Sequence, residues 1–193
     1  MFADGGFRDE VKLSGVNSIN WARIMAQVVY YFTAGIALGA PDREIDFTVP
    51  TGNFGDIFAG YVAMKMGLPV GRLVIATNEN DILARALETG RYEMRGVEAT
   101  TSPSMDIQIS SNFERLLFEA SGRDSAYVRR AMAGLKQSGA FDIEEKTLAE
   151  IRALFAAGKT DQAGAAAEIA RSLKDTGVLI DPHTAVAVAV ARK

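Results

Sequence analysis

The stretch from Ile45 to Thr77 constrains the fold more than any other part of this 193-residue chain. Ile45-Asp46-Phe47-Thr48-Val49 alternates apolar and polar side chains and is closed by Pro50, the pattern of a strand. Thr51-Gly52-Asn53-Phe54-Gly55-Asp56 reads as a turn. Residues 57–66 read as a helix, with Gly67 just past its end and Pro69 beyond. Residues 72–77 form a continuous apolar run of strand length. Two strands joined through a helix pair in parallel. The fold class is therefore expected to be α/β, a parallel sheet with flanking helices. Such a unit places the 52–56 turn at the carboxyl end of its strand, where open α/β sheets bind ligands.

The remaining pattern is mostly helical. Trp21, Ile24, Met25, Val28, Val29 and Phe32 form an amphipathic stripe that Asn20 or Ser18 can cap and that Gly35, Gly39 and Pro41 end. Residues 78–81 offer a cap for a helix running to Glu88 and stopped by Gly90. Helices are expected at 111–120, 124–137, 142–157 and 161–175, with Gly122, Gly139, Gly158 and Gly177 as breaks. The third opens on a capping-box variant, Asp142 with Glu145. In the last segment Val186, Val188 and Val190 alternate with alanine, which suggests a strand. Asp181-Pro182 is nonetheless an N-cap and first-turn pair, so a buried helix is the preferred reading. The organisation expected is an α/β portion over 1–107, a helical cover over 108–180, and a C-terminal helix over 181–193 that returns to the α/β core.

Composition removes several function classes. Twenty-one Lys+Arg against twenty-four Asp+Glu give a net charge of −3, with no basic footprint for nucleic acid or an anionic membrane. The absence of cysteine excludes disulfides, thiolate nucleophiles and cysteine metal sites. A single histidine, His183, argues against a His-based zinc centre or a Ser-His-Asp triad. No run approaches the roughly 18 apolar residues of a membrane span, and the first ten residues lack a signal peptide's basic start and apolar core. A soluble, cytoplasmic chain is expected. His183 itself reads as a hydrogen-bonded first-turn residue rather than a catalytic base. Met25, Met64 and Met66 read as core fillers, Tyr30-Tyr31-Phe32 as part core and part surface, and Arg123, Arg129 and Arg130 as a solvated face. Asp106 reads as a turn and cap residue.

Two segments suit an anion. The 52–56 turn precedes a helix, whose unpaired N–H groups and dipole favour a phosphate dianion. Glycines at 52 and 55 allow positive φ and leave no Cβ in a ligand's way. The turn is neither a Walker A loop nor a G-x-G-x-x-G fingerprint. On residue type alone, an ordinary strand-to-helix turn with Asp56 as cap is the simpler reading. The second segment, Asn17-Ser18-Ile19-Asn20-Trp21-Ala22-Arg23, brings an amide, a hydroxyl and a guanidinium to a helix start, and arginine offers phosphate a bidentate fork. Unaided, a capped helix with Arg23 on its solvated face explains it as well.

Five blocks in order resemble the threonine synthases, pyridoxal-5′-phosphate (PLP) enzymes of the tryptophan-synthase-β class, fold type II. They are Asn17-Ser18-Ile19-Asn20-Trp21-Ala22-Arg23-Ile24, Thr51-Gly52-Asn53-Phe54-Gly55-Asp56, Ala76-Thr77-Asn78-Glu79-Asn80-Asp81, Ser102-Pro103-Ser104-Met105-Asp106-Ile107 and Asp181-Pro182-His183-Thr184-Ala185-Val186. The likeness is greatest to the longer, bacterial and fungal type. It implies that Gly52, Asn53, Phe54, Gly55 and Asp56 bind the PLP phosphate. It implies also that Asn17, Ser18 and Arg23 bind the phosphate of the small-molecule substrate, O-phospho-L-homoserine. The family chemistry is a β,γ-replacement: PLP is the electron sink, phosphate leaves Cγ, and water adds at Cβ to give L-threonine.

The chain departs from the family pattern at a critical point. The family's Schiff-base lysine lies in an N-terminal lobe, in a Phe-Lys-Asp-type motif upstream of the Asn-Ser-Ile-Asn block. Here the only lysine before the glycine turn is Lys12, in a charged setting that does not suit a Schiff-base lysine. No catalytic residue is assigned in this chain, which alone is expected to be inactive. Family members also continue past the Asp-Pro-His-Thr-Ala-Val block, so the chain is expected to be the C-terminal-central portion of a longer enzyme. Two rivals remain: another fold-type-II PLP enzyme of β-replacement or elimination, and a non-catalytic module that binds a phosphate ligand.

Overall fold

The computed structural model describes residues 3–13 and 17–193. A short helix α1 (Gly5–Glu10) precedes α2 (Trp21–Ala37), whose first turn is capped by Asn20 Oδ1 accepting the Ala22 N–H at 2.9 Å. Then follow β1 (Ile45–Pro50), α3 (Gly55–Lys65), β2 (Val70–Thr77), α4 (Ile82–Thr89) and the short β3 (Arg91–Glu93). A 3-10 turn at Pro103–Met105 leads to α5 (Phe113–Ala120), α6 (Ser125–Ser138), β4 (Ala140–Asp142), α7 (Glu145–Leu154), β5 (Phe155–Lys159), α8 (Gln162–Thr176) and α9 (Pro182–Ala191).

The central sheet has the order β1-β2-β5 and is parallel throughout, with Val49 opposite Ile75 and Ile75 opposite Ala157. Its middle strand is apolar on both faces, as a doubly covered parallel strand must be. Leu73 and Ile75 point into the larger core with Ile24, Val28, Ile57 and Phe58 of α2 and α3. Val74 and Ala76 face a smaller cluster built from Ala165 of α8 and Ala185, Val186, Ala187 and Val190 of α9. The C-terminal segment is a helix, as its Asp-Pro start indicates. Gly60 lets α3 approach α2 closely, since a Cβ there would lie 2.6 Å from Tyr31 Cε1. A two-stranded antiparallel sheet, β3 with β4, sets Tyr92 opposite Phe141, and the Tyr92 ring stacks on Phe113 and Phe141 at 5.4 and 5.0 Å. That stack fastens α5 to the hairpin and extends the larger core outward.

Residues 142–157 are not one helix. Asp142 ends β4 and pairs with Arg91 at 3.0 Å instead of capping. The helix is confined to Glu145–Leu154 and starts without a side-chain cap. Phe155–Lys159 is the third strand of the central sheet. Its Ala156-Ala157 pair suits a helix by propensity, but the open edge of β2 offers backbone partners that only the folded chain supplies. A Cβ at Gly158 would lie 2.7 Å from Val190 Cγ1, so α9 crosses β5 in near contact.

Two of the three methionines read as core are on the surface: Met25 is 58% and Met66 64% exposed, whereas Met64 is half-buried. The helix α2 stripe divides, with Ile24, Val28, Tyr31 and Gly35 buried and Trp21, Met25 and Val29 exposed. Tyr31 is core and Tyr30 surface, and Arg123, Arg129 and Arg130 are exposed. Among the described residues no helix is long and apolar enough to cross a membrane.

Candidate functional site

The 51–56 turn sits at the carboxyl end of β1, as its place between strand and helix requires. Neither Gly52 nor Gly55 has positive φ; the left-handed residue is Phe54, at φ 65°. That conformation costs a non-glycine residue about 1–2 kcal/mol. It is held by burial: the Phe54 ring is 1% exposed, edge-on to Phe113 at 5.4 Å and tilted against Phe155 at 5.8 Å. Gly52 serves close approach instead, because a Cβ there would lie 2.5 Å from the Ser104 carbonyl oxygen.

Asp56 does not cap α3. The Tyr31 hydroxyl donates to the Asp56 carbonyl oxygen at 2.9 Å and to its carboxylate at 3.2 Å. Burial raises the Asp56 carboxyl above its ordinary range, and the bond from Tyr31 offsets only part of that. Burial likewise raises the Tyr31 hydroxyl, with the Asp56 charge adding to it. Among the described residues no side chain caps the start of α3, so its first N–H groups lack an intrahelical partner.

The second expected cluster lies against this turn. Ser18 and Arg23 line the same cavity as Gly52, Asn53, Phe54, Gly55 and Asp56, a space of about 170 Å³ closed further by Gln27, Met105 and His183. Phe54 and Asp56 turn their side chains elsewhere and offer only backbone. Asn17 is outside this lining; its side-chain oxygen accepts the Ile19 N–H at 3.2 Å. A larger groove of about 690 Å³, between α3, α5 and α6, is mostly apolar and is walled by Tyr61, Val62, Met66 and Phe118.

Residues with no signal in the sequence join the two segments. Asn112, 0% exposed at the start of α5, donates from Nδ2 to the Ser18 carbonyl at 2.8 Å and to the Asn53 carbonyl at 2.9 Å. Arg115, one turn on, donates to the Ile19 carbonyl at 2.9 Å and to Asn112 Oδ1 at 3.0 Å, with its guanidinium 5.7 Å from the Trp21 ring centre. Ser110 Oγ donates to the Gly52 carbonyl at 2.7 Å, and Ser111 Oγ to Asn53 Oδ1 at 3.2 Å. Partners 58 to 96 residues apart leave no local pattern to read.

The Ser102–Ile107 loop behind Gly52 is braced by Asp106. Its carboxylate accepts from Thr100 N–H and Oγ1, both at 2.7 Å, from Asn78 Nδ2 at 2.8 Å and from Asn80 Nδ2 at 3.1 Å. Burial alone would raise this carboxyl, but the bonds from Thr100 and Asn78 outweigh it and hold it below the ordinary range. Asp106 is thus the hub of a buried network, beyond a turn and cap residue.

His183 is bonded in the first turn of α9, as its position after Asp181-Pro182 implies. Its Nδ1 lies 3.0 Å from Asp181 Oδ1, and the same carboxylate accepts the His183 N–H at 2.8 Å. The Thr184 hydroxyl donates to the other oxygen, and with the bonds from His183 it lowers the Asp181 carboxyl to about 2 against a smaller rise from burial. The remaining imidazole nitrogen, Nε2, is buried without a hydrogen-bond partner among the described residues, and His183 lines the cavity beside the 52–56 turn.

Comparison with known proteins follows these features across the whole chain. No protein-family model matches it. A threonine synthase of Pseudomonas aeruginosa is 50% identical over 192 residues, covering 100% of this chain and 41% of the relative. A crystal structure of PLP-bound threonine synthase from Brucella melitensis superposes with a TM-score of 0.94 at 68% identity, over 100% of this chain and 41% of that one. The threonine synthase of yeast superposes at 0.85 with 41% identity, over 91% of this chain and 38% of that one. The chain therefore spans about two fifths of the length of the relatives it matches. In sequence and in fold it belongs with the threonine synthases.

Proposed function

We propose that this chain carries the two phosphate-binding parts of a PLP-dependent threonine synthase, which converts O-phospho-L-homoserine and water to L-threonine and phosphate. The observation that carries the reading is the shared cavity: Ser18 and Arg23 face the 52–56 turn across it, and Asn112 ties the two backbones together. The uncapped start of α3, with its dipole, suits the cofactor's phosphate dianion. The cavity fits such a group, because the Asp56 carboxylate is turned onto Tyr31 and so leaves the uncapped helix start to face it. When bound, PLP supplies an electron sink beside the substrate's α-carbon.

In this reading Gly52, Asn53, Phe54, Gly55 and Asp56 hold the cofactor phosphate, mainly through backbone. Ser18 and Arg23 hold the substrate phosphate, with Asn17 shaping the loop through its bond to Ile19. Residues 1–107 carry both clusters, 108–180 brace them, and 181–193 return to the core. No residue here is assigned the covalent attachment of PLP: Lys12 is exposed and outside the cavity lining. The reaction belongs in the cytoplasm, where biosynthetic enzymes of this kind act on soluble substrates.

The test uses the full-length gene product. Addition of PLP should produce a visible absorption band that borohydride removes, and O-phospho-L-homoserine should be turned over with release of phosphate. A protein that neither takes up PLP nor releases phosphate would overturn the proposal. Arg23→Ala removes a charge-assisted contact of about 1.5–3 kcal/mol, and so should raise KM roughly 10- to 100-fold while PLP affinity changes far less. Equal loss of both would refute the division of roles. Unchanged KM would favour another fold-type-II enzyme with a substrate that lacks a phosphate.

A further inference from the structure

The lone histidine lies where the proposed reaction has no role assigned to it. Asp181 fixes the His183 ring by taking Nδ1 at 3.0 Å, and Asp181 is itself fixed by the Thr184 hydroxyl and two N–H groups at the start of α9. With Nδ1 spoken for, the only hydrogen-bonding ring atom left is Nε2, which is buried without a partner among the described residues, and His183 itself lines the cavity. A buried polar atom with no partner is expensive to maintain, and a site's missing ligand is one reason it persists. Across the cavity stand Arg23 and the uncapped start of α3, both suited to an anion.

We propose that His183 is a further ligand-contacting residue of this cavity, forming a hydrogen bond at Nε2 with a bound phosphate monoester while Asp181 sets the tautomer and orientation of its ring. The chemistry needs no more than the groups present. A dianion accepts from the protonated ring, whose charge Asp181 balances; a monoanion donates its own hydroxyl proton to the neutral ring. Either way one hydrogen bond forms and the buried nitrogen is satisfied. The inference rests on the phosphate site proposed above and adds α9 to it as a third wall.

Side-chain reach provides the test. Glutamine places an amide nitrogen near the Nε2 position, whereas asparagine reaches only as far as Nδ1 and keeps the bond to Asp181. In the full-length protein, the dissociation constants of PLP and of inorganic phosphate, and KM for O-phospho-L-homoserine, are measured for wild type, His183→Ala, His183→Asn and His183→Gln. Thermal midpoints are recorded alongside. The proposal expects alanine and asparagine to weaken PLP or phosphate binding about tenfold or more, and glutamine to stay within about threefold of wild type. The opposite order, asparagine restoring and glutamine not, would assign His183 a purely structural bond to Asp181 and overturn it. So would wild-type affinity in all three variants. If the wild type bound neither PLP nor phosphate, the phosphate site itself would fall. Wild-type binding with unaltered variants would remove only the role of His183.

Discussion

At the scale of single residues, the turn shows backbone and side chain solving different problems. Phe54 takes the strained left-handed conformation because its ring is locked in the core, and Gly52 is needed because the Ser104 carbonyl passes where a Cβ would be. Gly52→Ala should therefore lower stability by about 1–3 kcal/mol and weaken phosphate or PLP binding, read by urea denaturation and ligand titration. A variant with wild-type values in both would show that the 102–107 loop yields freely. Asp56 makes the opposite prediction. Its folded-state pKa is raised by burial, so the folding stability it provides is present below the unfolded value near 3.8 and is lost as pH rises through the folded pKa. At neutral pH the buried carboxylate is a burden, and Asp56→Asn should be neutral or stabilising, with a flatter stability profile from pH 4 upward. A variant clearly less stable at pH 7 would mean that the Tyr31 hydroxyl bond outweighs the buried charge. Residue types alone announced a glycine turn with an acidic cap. They could not announce that Asp56 faces Tyr31, because that partner arrives from α2, 25 positions away.

At the scale of elements, most caps and glycines marked real boundaries, although the capping box at Asp142 does not cap and Gly158, expected as a break, lies inside β5. Asn20, Asp124, Asp161 and Asp181 each cap the helix they precede, and Gly90, Gly139 and Gly177 end theirs in the left-handed region. The failure at 142–157 has the converse cause. No glycine or proline lies between α7 and β5, so the change from helix to strand is dictated by the open edge of β2 rather than by the chain itself. That placement has a direct test in the contact between Gly158 and Val190. Gly158→Ala should destabilise the protein by about 1–3 kcal/mol. Val190→Ala added to it should recover part of that loss in a double-mutant cycle, with a coupling of at least about 0.5 kcal/mol. Additive effects would argue that α9 does not cross this strand. The start of α9 has its own pH signature. Asp181, lowered to about 2 chiefly by the Thr184 hydroxyl, contributes stability present above pH 3.8 and lost as pH falls through about 2. Asp181→Ala should cost about 0.5–2 kcal/mol at neutral pH and remove that acid dependence, followed by denaturant titration.

At the scale of the whole molecule, the outer face of α2 stands out. Trp21, Met25, Val29, Tyr30 and Ile36 are all exposed on one helix, although large apolar side chains concentrated on a surface normally mark a covered face. Residues 1–193 expressed alone should bind a hydrophobic dye, and Met25→Glu with Val29→Glu should lower that binding without changing helix content. An unaltered dye signal would place the exposed apolar surface elsewhere. The same residues alone should also show no turnover of O-phospho-L-homoserine, since no lysine lies in the cavity lining; measurable turnover would mean that Lys12 or another group does what is not assigned to it here. By itself the sequence determined the βαβ unit, most helix boundaries and the two anion-suited segments, because each depends on periodicity, caps and turns within about twenty residues. Tertiary structure alone decided that β5 joins the sheet, that Asn112 draws the two segments together, and that His183 joins the lining of the cavity they share. Those contacts join residues 59 to more than 130 positions apart, and only the packed core fixes such distances.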